Sequence, residues 1–303
     1  MFIEKIKLYE DREDVTLTTY VIGQEPELSI QGNRPAIIIC PGGAYQFCSD
    51  REAEPVALRF AAMGYHAFVL KYSVYGEGKT TNWDNNSEMS EKPQCIHPNP
   101  MRELGKSMLI IRENADKWKV DTEKIAICGF SAGGHNVAMY GVNWDKPILT
   151  DYFKVGKYML KPAAMILSYP VIDFLYMKEV KKDENSKRLL EIMNIAIAGT
   201  KNPSDELCKE LSPNLFVNEN TPPTFIWATA NDNTVNVEQS LKMAYALAEK
   251  KIPFEIHIFE NGLHGISLAT RATASAKGHI NLDALKWVEL AENWLNKRFE
   301  IKW

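Results

Sequence analysis

The chain has 303 residues, 45% apolar and 24% charged, an ordinary balance for a globular α/β protein with a large core. Its net charge of −4, with Lys and Arg scattered throughout, provides no electrostatic footprint for nucleic acid or an anionic membrane. No apolar run approaches the roughly 18 residues of a membrane span, and the 5 cysteines show neither C-x-x-C nor metal-ligand spacing.

At the start, Met1-Phe2-Ile3-Glu4-Lys5-Ile6-Lys7-Leu8 carries charges where a signal peptide needs an apolar stretch, so a cytoplasmic protein is expected. Residues 1–30 hold two runs of alternating character, read as an antiparallel pair at a sheet edge. From Pro35 the rhythm changes. Short apolar runs over 36–40, 66–71, 125–130, 164–169, 224–230 and 254–259 suit strands covered on both faces. Helical patterns over 52–63, 101–118, 134–140, 186–198, 237–250 and 282–297 fill the gaps. Such alternation means right-handed crossovers and a mostly parallel sheet, here within one domain spanning 1–303. Gly64 is placed at a helix end, Asp121-Thr122 at a turn before the central strand, and Cys40 and Cys128 among buried thiols. Two stretches break the alternation. Residues 74–100 read as a long surface excursion, either a lid or an inert insertion, and 171–223 read as a cap-like insertion containing one helix.

The run over 125–128 leads into Gly129-Phe130-Ser131-Ala132-Gly133. This G-x-S-x-G pattern presents a serine on a strained strand-to-helix turn, where flanking side chains would clash. A serine hydroxyl becomes a useful nucleophile only beside a base and beside donors for the charge formed on attack. Among the six histidines, His264 in Asn261-Gly262-Leu263-His264-Gly265 follows the last strand on a Gly-flanked loop and is the expected base. His66 and His257 sit in strand patterns, and His135 lies one helical turn beyond Ser131, so these are read as packing residues. The carboxylate that orients the base should follow a strand and precede His264. Asp232 does so, and Asp173 is its competitor, with a turn cap as the ordinary role for the latter. The order Ser131, Asp232, His264 is that of α/β hydrolases, not of the chymotrypsin or subtilisin types. Oxyanion donors are expected from the N–H groups of Ala132, Gly42 and Gly43, the last two in Pro41-Gly42-Gly43-Ala44-Tyr45 after the first core strand. No G-x-G-x-x-G opens a helix, Gly76-Glu77-Gly78-Lys79 lacks the spacing of a phosphate loop, and no H-E-x-x-H occurs.

From about Arg34 onward the chain resembles bacterial α/β-hydrolase carbohydrate esterases that include acetylxylan esterases. The resemblance rests on Pro41 through Tyr45, Arg51-Glu52-Ala53-Glu54-Pro55-Val56-Ala57, Leu70-Lys71-Tyr72-Ser73, His97-Pro98, Asp121 through His135, Ser212-Pro213, Thr221 through Phe225, and His257 through Gly265. It implies an α/β-hydrolase fold and hydrolysis of short acyl esters, often acetyl groups on plant sugars, with neither metal nor organic cofactor. Similar proteins often carry two acidic residues and Val-Pro where this chain has Asn231-Asp232-Asn233-Thr234-Val235-Asn236. Tyr45, Trp83, Trp144 and Tyr169 are candidates for stacking on a sugar, against the ordinary core role of aromatics. A serine peptidase or lipase-like hydrolase of the same fold, and a non-catalytic binding module, are the competing readings. Acyl chain, alcohol portion and oligomeric state, including a homo-oligomer, stay open.

Overall fold

The computed structural model describes residues 1–301 except 24, 26, 28–31, 78–88 and 181–182. Eight strands form one sheet in the order β1-β2-β4-β3-β5-β6-β7-β8. They are β1 (Lys5–Tyr9), β2 (Arg12–Tyr20), β3 (Arg34–Cys40), β4 (His66–Lys71), β5 (Val120–Phe130), β6 (Ala164–Ser168), β7 (Thr224–Thr229) and β8 (Phe254–Phe259). β1 and β2 form the antiparallel edge, β2 runs antiparallel to β4, and every later pairing is parallel.

Ten α-helices occur among the described residues: α1 (Glu54–Ala62), α2 (Asn99–Glu113), α3 (Ala115–Trp118), α4 (Ala132–Asn143), α5 (Pro147–Phe153), α6 (Phe174–Val180), α7 (Glu184–Ala198), α8 (Asp205–Glu210), α9 (Glu238–Glu249) and α10 (Trp287–Arg298). Strand side chains alternate between faces, and both faces are covered. Ile37 and Ile39 of β3 join a core with Phe60 of α1 and Trp287 and Trp294 of α10. Ile38 joins the opposite core with Leu104 of α2, Val137 of α4 and Leu247 of α9. α4 is buried from Ala132 to Val142, so its apolar character all round suits a helix beneath other elements.

The expected antiparallel pair and parallel run are present. Asp121-Thr122 does not precede the central strand but lies within β5, where the register to β3 slips between Arg34 and Ala36. The turn character survives locally, because Asp121 Oδ1 accepts the Glu123 N–H at 3.0 Å. Among the described residues, the connection over 171–223 contains three α-helices where one was expected. α6 and α8 are seven and six residues long, too short to show a clear helical period. α7 is capped by the Asp183 side chain, which accepts from Ser186 N–H, and ends at Gly199 with φ 73°.

Candidate active site

The parallel strands point their C-terminal ends to one edge, where an open α/β sheet places its ligands. Ser131 sits between β5 and α4 with φ 51° and ψ −117°, a conformation that costs about 1–3 kcal/mol for a residue with a Cβ. The turn is held from several sides. Ser131 N–H donates to Ser168 O at 3.0 Å, and Ser131 O accepts the His135 and Val171 N–H groups at 3.0 and 3.2 Å. The flanking glycines are needed for close approach. A Cβ on Gly129 would lie 2.2 Å from Gly133 O, and one on Gly133 2.1 Å from Cys40 O.

His264 follows β8 and Asp232 follows β7. Ser131 Oγ donates to His264 Nε2 at 2.8 Å, and His264 Nδ1 donates to Asp232 Oδ2 at 2.6 Å. The second Asp232 oxygen accepts the Thr234 and Val235 N–H groups, both at 2.9 Å, fixing the carboxylate plane. Asn231 joins the two loops, because its side-chain oxygen accepts the Gly262 N–H at 2.8 Å. The residue that departs from the related pattern therefore braces the histidine loop. Asp173 is elsewhere engaged, accepting from Tyr176 N–H and pairing with Lys242 at 3.0 Å.

The other histidines have different work. His135 accepts from Tyr45 O–H at 2.6 Å and donates to Leu211 O at 2.7 Å, and burial holds its pKa down to about 4. His66 accepts the Ile22 N–H, and burial with the nearby Arg34 charge keeps it near 4. Burial holds His97 down to about 3, and His257 pairs with Glu255.

Several expectations about the site are corrected. The Gly42 N–H donates to the buried Glu52 Oε2 at 2.7 Å, so it does not face a substrate. Among the described residues the N–H groups of Gly43, Ala44 and Ala132 have no such acceptor, and Gly43 and Ala44 line the cleft that holds Ser131. Tyr45 is buried with its hydroxyl on His135. Tyr169 is buried edge-on to His264, with its hydroxyl donating to Glu52 Oε1 at 2.7 Å. Trp144 lines a separate cleft of about 690 Å³ at the other end of the sheet, beside Thr122, Ala163 and Pro223, and donates to Asn220 O. All three are almost fully buried with their polar atoms hydrogen-bonded, and none lines the cleft that holds Ser131. Trp83 lies outside the described residues.

A cleft of about 260 Å³ opens over Ser131 and His264. Its apolar walls are Phe47, Val171, Met177, Leu189, Met193 and Val235, facing Ser49, Arg51, Glu52 and Thr234, so α6 and α7 of the 171–223 connection supply much of its apolar side. Sequence reading missed both these wall residues and Glu52. Glu52 was visible only as part of a motif, and nothing in a linear pattern says which backbone group a carboxylate will meet. Among the described residues no three His, Cys, Asp or Glu side chains cluster as a metal would need, and no helix is long and apolar enough to cross a membrane.

The fold is that of an α/β hydrolase, and the solved structures it resembles include carboxylesterases. More particularly, the chain belongs to the BD-FAE family, whose model matches residues 85–247 and so includes Ser131 and Asp232 but neither His264 nor Gly43. It is similar to a carboxylesterase from Lactobacillus plantarum, with 28% identity, a TM-score of 0.79 and coverage of 100% of both chains. It is also similar to an acetyl ester-xyloside bifunctional hydrolase from Caldicellulosiruptor lactoaceticus, with 29% identity and a TM-score of 0.74 over 99% of this chain and 97% of that one. Endo-1,4-beta-xylanase B of Butyrivibrio fibrisolvens is 34% identical over 78% of this chain and 33% of its own length. The chain spans about a third to a half of the length of the curated relatives it matches.

Proposed function

We propose that the chain is a serine carboxylesterase acting on short acyl esters, with O-acetyl groups on sugars or xylo-oligosaccharides as its substrate class. The observation that carries this reading is the unbroken line of hydrogen bonds from Ser131 Oγ through His264 to Asp232. His264 Nε2 takes the hydroxyl proton as Ser131 attacks the ester carbonyl, and Asp232 stabilises the imidazolium that forms. The oxyanion is met by the N–H groups of Ala132, Gly43 and Ala44. His264 then protonates the leaving alcohol, and water repeats the sequence on the acyl-enzyme.

The apolar wall of Val171, Met177 and Met193 suits the acyl group, leaving the alcohol toward solvent. With Tyr45, Trp144 and Tyr169 not offered to the cleft, selection falls mainly on the acyl side. The sugar-ester assignment rests on the names of the similar xyloside hydrolase and xylanase. Ser131→Ala is expected to lower turnover of p-nitrophenyl acetate by on the order of 10³-fold or more. A folded variant with near-wild-type turnover removes the serine from the mechanism. Failure of a fluorophosphonate to label Ser131 favours a binding module instead. Acetate, butyrate, octanoate and feruloyl esters compared with acetylated xylo-oligosaccharides test the substrate class, and an octanoate preference overturns it.

A further inference from the structure

We infer that Glu52 is a positioning residue that holds the oxyanion loop in its working shape, an inference that rests on the serine-esterase reading. Glu52 closes a single helical turn, Asp50–Glu52, and is only 3% exposed. Both carboxylate oxygens are engaged, Oε2 by the Gly42 N–H and Oε1 by the Tyr169 hydroxyl, each at 2.7 Å. The same hydroxyl accepts the Ser267 N–H at 3.0 Å, three residues beyond His264. Arg51 adds to the bracket by donating from Nε to Thr273 O at 2.7 Å and from its guanidinium to Gly265 O. Ser267 Oγ donates to Arg51 O at 2.7 Å. Arg51 and Glu52 thus tie the Gly42 loop to the loop carrying His264.

The oxyanion loop needs such an anchor. Gly43, Ala44 and Tyr45 take φ values of 130°, 52° and 59° in succession, and the last two carry side chains that disfavour this region. A strained run of this kind persists only when fixed at both ends. Tyr45 is held by His135 at one end, and Gly42 by Glu52 at the other. The carbonyls of Gly42, Gly43 and Tyr45 are also held, by the N–H groups of Ser49, Gln46 and Tyr75, so loss of Glu52 releases the Gly42 N–H and lets that peptide shift, turning the Gly43 and Ala44 N–H groups away from Ser131. Electrostatics point the same way. A carboxylate beside a forming oxyanion is unfavourable, and burial raises the Glu52 pKa, opposed by the Tyr169 and Gly42 bonds. Its contribution therefore lies in its two acceptor bonds.

The test is steady-state hydrolysis of p-nitrophenyl acetate by Glu52→Ala, Glu52→Gln and Tyr169→Phe, measured well below the melting temperature of each. Glu52→Ala is expected to lower kcat by about 10²-fold with KM within about threefold, matching the loss of an oxyanion donor. Its affinity for a trifluoromethyl ketone, which forms a tetrahedral adduct with the serine, should fall in proportion to kcat. Glu52→Gln should recover kcat to within about tenfold of the parent, because its amide oxygen accepts from Gly42 and its NH₂ donates to Tyr169. A folded Glu52→Ala protein with parental kcat, a loss confined to KM, or a Glu52→Gln variant as slow as Glu52→Ala overturns the inference. If Glu52→Ala does not fold, Tyr169→Phe decides: about tenfold lower kcat at unchanged KM supports it, and parental kcat refutes it. Ser131→Ala separates the two ideas. If it stays active, the esterase reading fails; if it is inactive while Glu52→Ala is fully active, only the positioning role fails.

Discussion

Gly42 offers a sharp test because its φ is ordinary and the constraint is purely one of space. A Cβ there would lie 2.7 Å from Phe130 O, 2.8 Å from Glu52 Oε2 and 2.9 Å from Ser131 Cβ. None of these is the free end of a flexible side chain. They are a strand carbonyl, a carboxylate held by two hydrogen bonds, and the Cβ of Ser131 on its constrained turn. Each contact is short of an ordinary one by roughly half an ångström, so the loop must move away from Ser131 by a similar amount. Overpacking of this kind costs about 1–3 kcal/mol, a fall in melting temperature of roughly 2–10 °C for a chain of this size. Because misplacement by about 1 Å costs up to 10²-fold in rate, Gly42→Ala is expected to lower kcat by about 10- to 100-fold. The assay is turnover of p-nitrophenyl acetate alongside a thermal melt. Gly156→Ala is the control: its φ is −63°, nothing lies within 4 Å of the new carbon, and stability should be unchanged or slightly raised. A Gly42→Ala protein with parental kcat and melting temperature would refute the reasoning.

Asp232→Asn should lower kcat by about 10⁴-fold with little change in melting temperature, because an amide can present its NH₂ to His264 Nδ1 and favour the wrong tautomer. A loss below tenfold counts against Asp232 as the orienting acid. Away from the site, Glu103 of α2 accepts the Ser73 N–H at 2.6 Å, and burial pushes its carboxyl up to about 7. A folded pKa above the unfolded value stabilises fully below the unfolded value and loses that stabilisation as pH rises through 7. The parent should therefore lose on the order of 3 kcal/mol between about pH 4.5 and 7.5 relative to Glu103→Gln. Urea midpoints of both proteins across that range test this, and parallel curves reject it.

Much of the architecture was legible because strand and helix periods are local properties. The apolar runs of β4 and β8 correspond to the elements observed, and Ser131, Asp232 and His264 come just after β5, β7 and β8. Less legible were α6 and α8, whose few residues carry too little periodicity, and β5, whose polar first half enters the sheet only through an irregular pairing with β3. Aromatic residues misled most. Tyr45, Tyr169 and Trp144 were candidates for a sugar platform, yet each is packed and hydrogen-bonded inside the structure.

The sequence by itself determined the alternating α/β plan and the elbow, since Gly129 and Gly133 flank Ser131 where a Cβ would meet backbone oxygen. It also set the order in which Ser131, Asp232 and His264 occur along the chain. Tertiary structure alone decided which backbone N–H groups remain open. Gly42 and Gly43 are equivalent as letters, but a carboxylate ten residues away occupies the first and leaves the second. The apolar wall of the cleft was equally hidden, because Met177, Leu189 and Met193 come to line one cleft with Ser131 only once the connection after β6 folds back over the sheet. Hydrogen-bond capacity and cavity shape depend on what arrives from distant parts of the chain, and that is a property of the packed molecule.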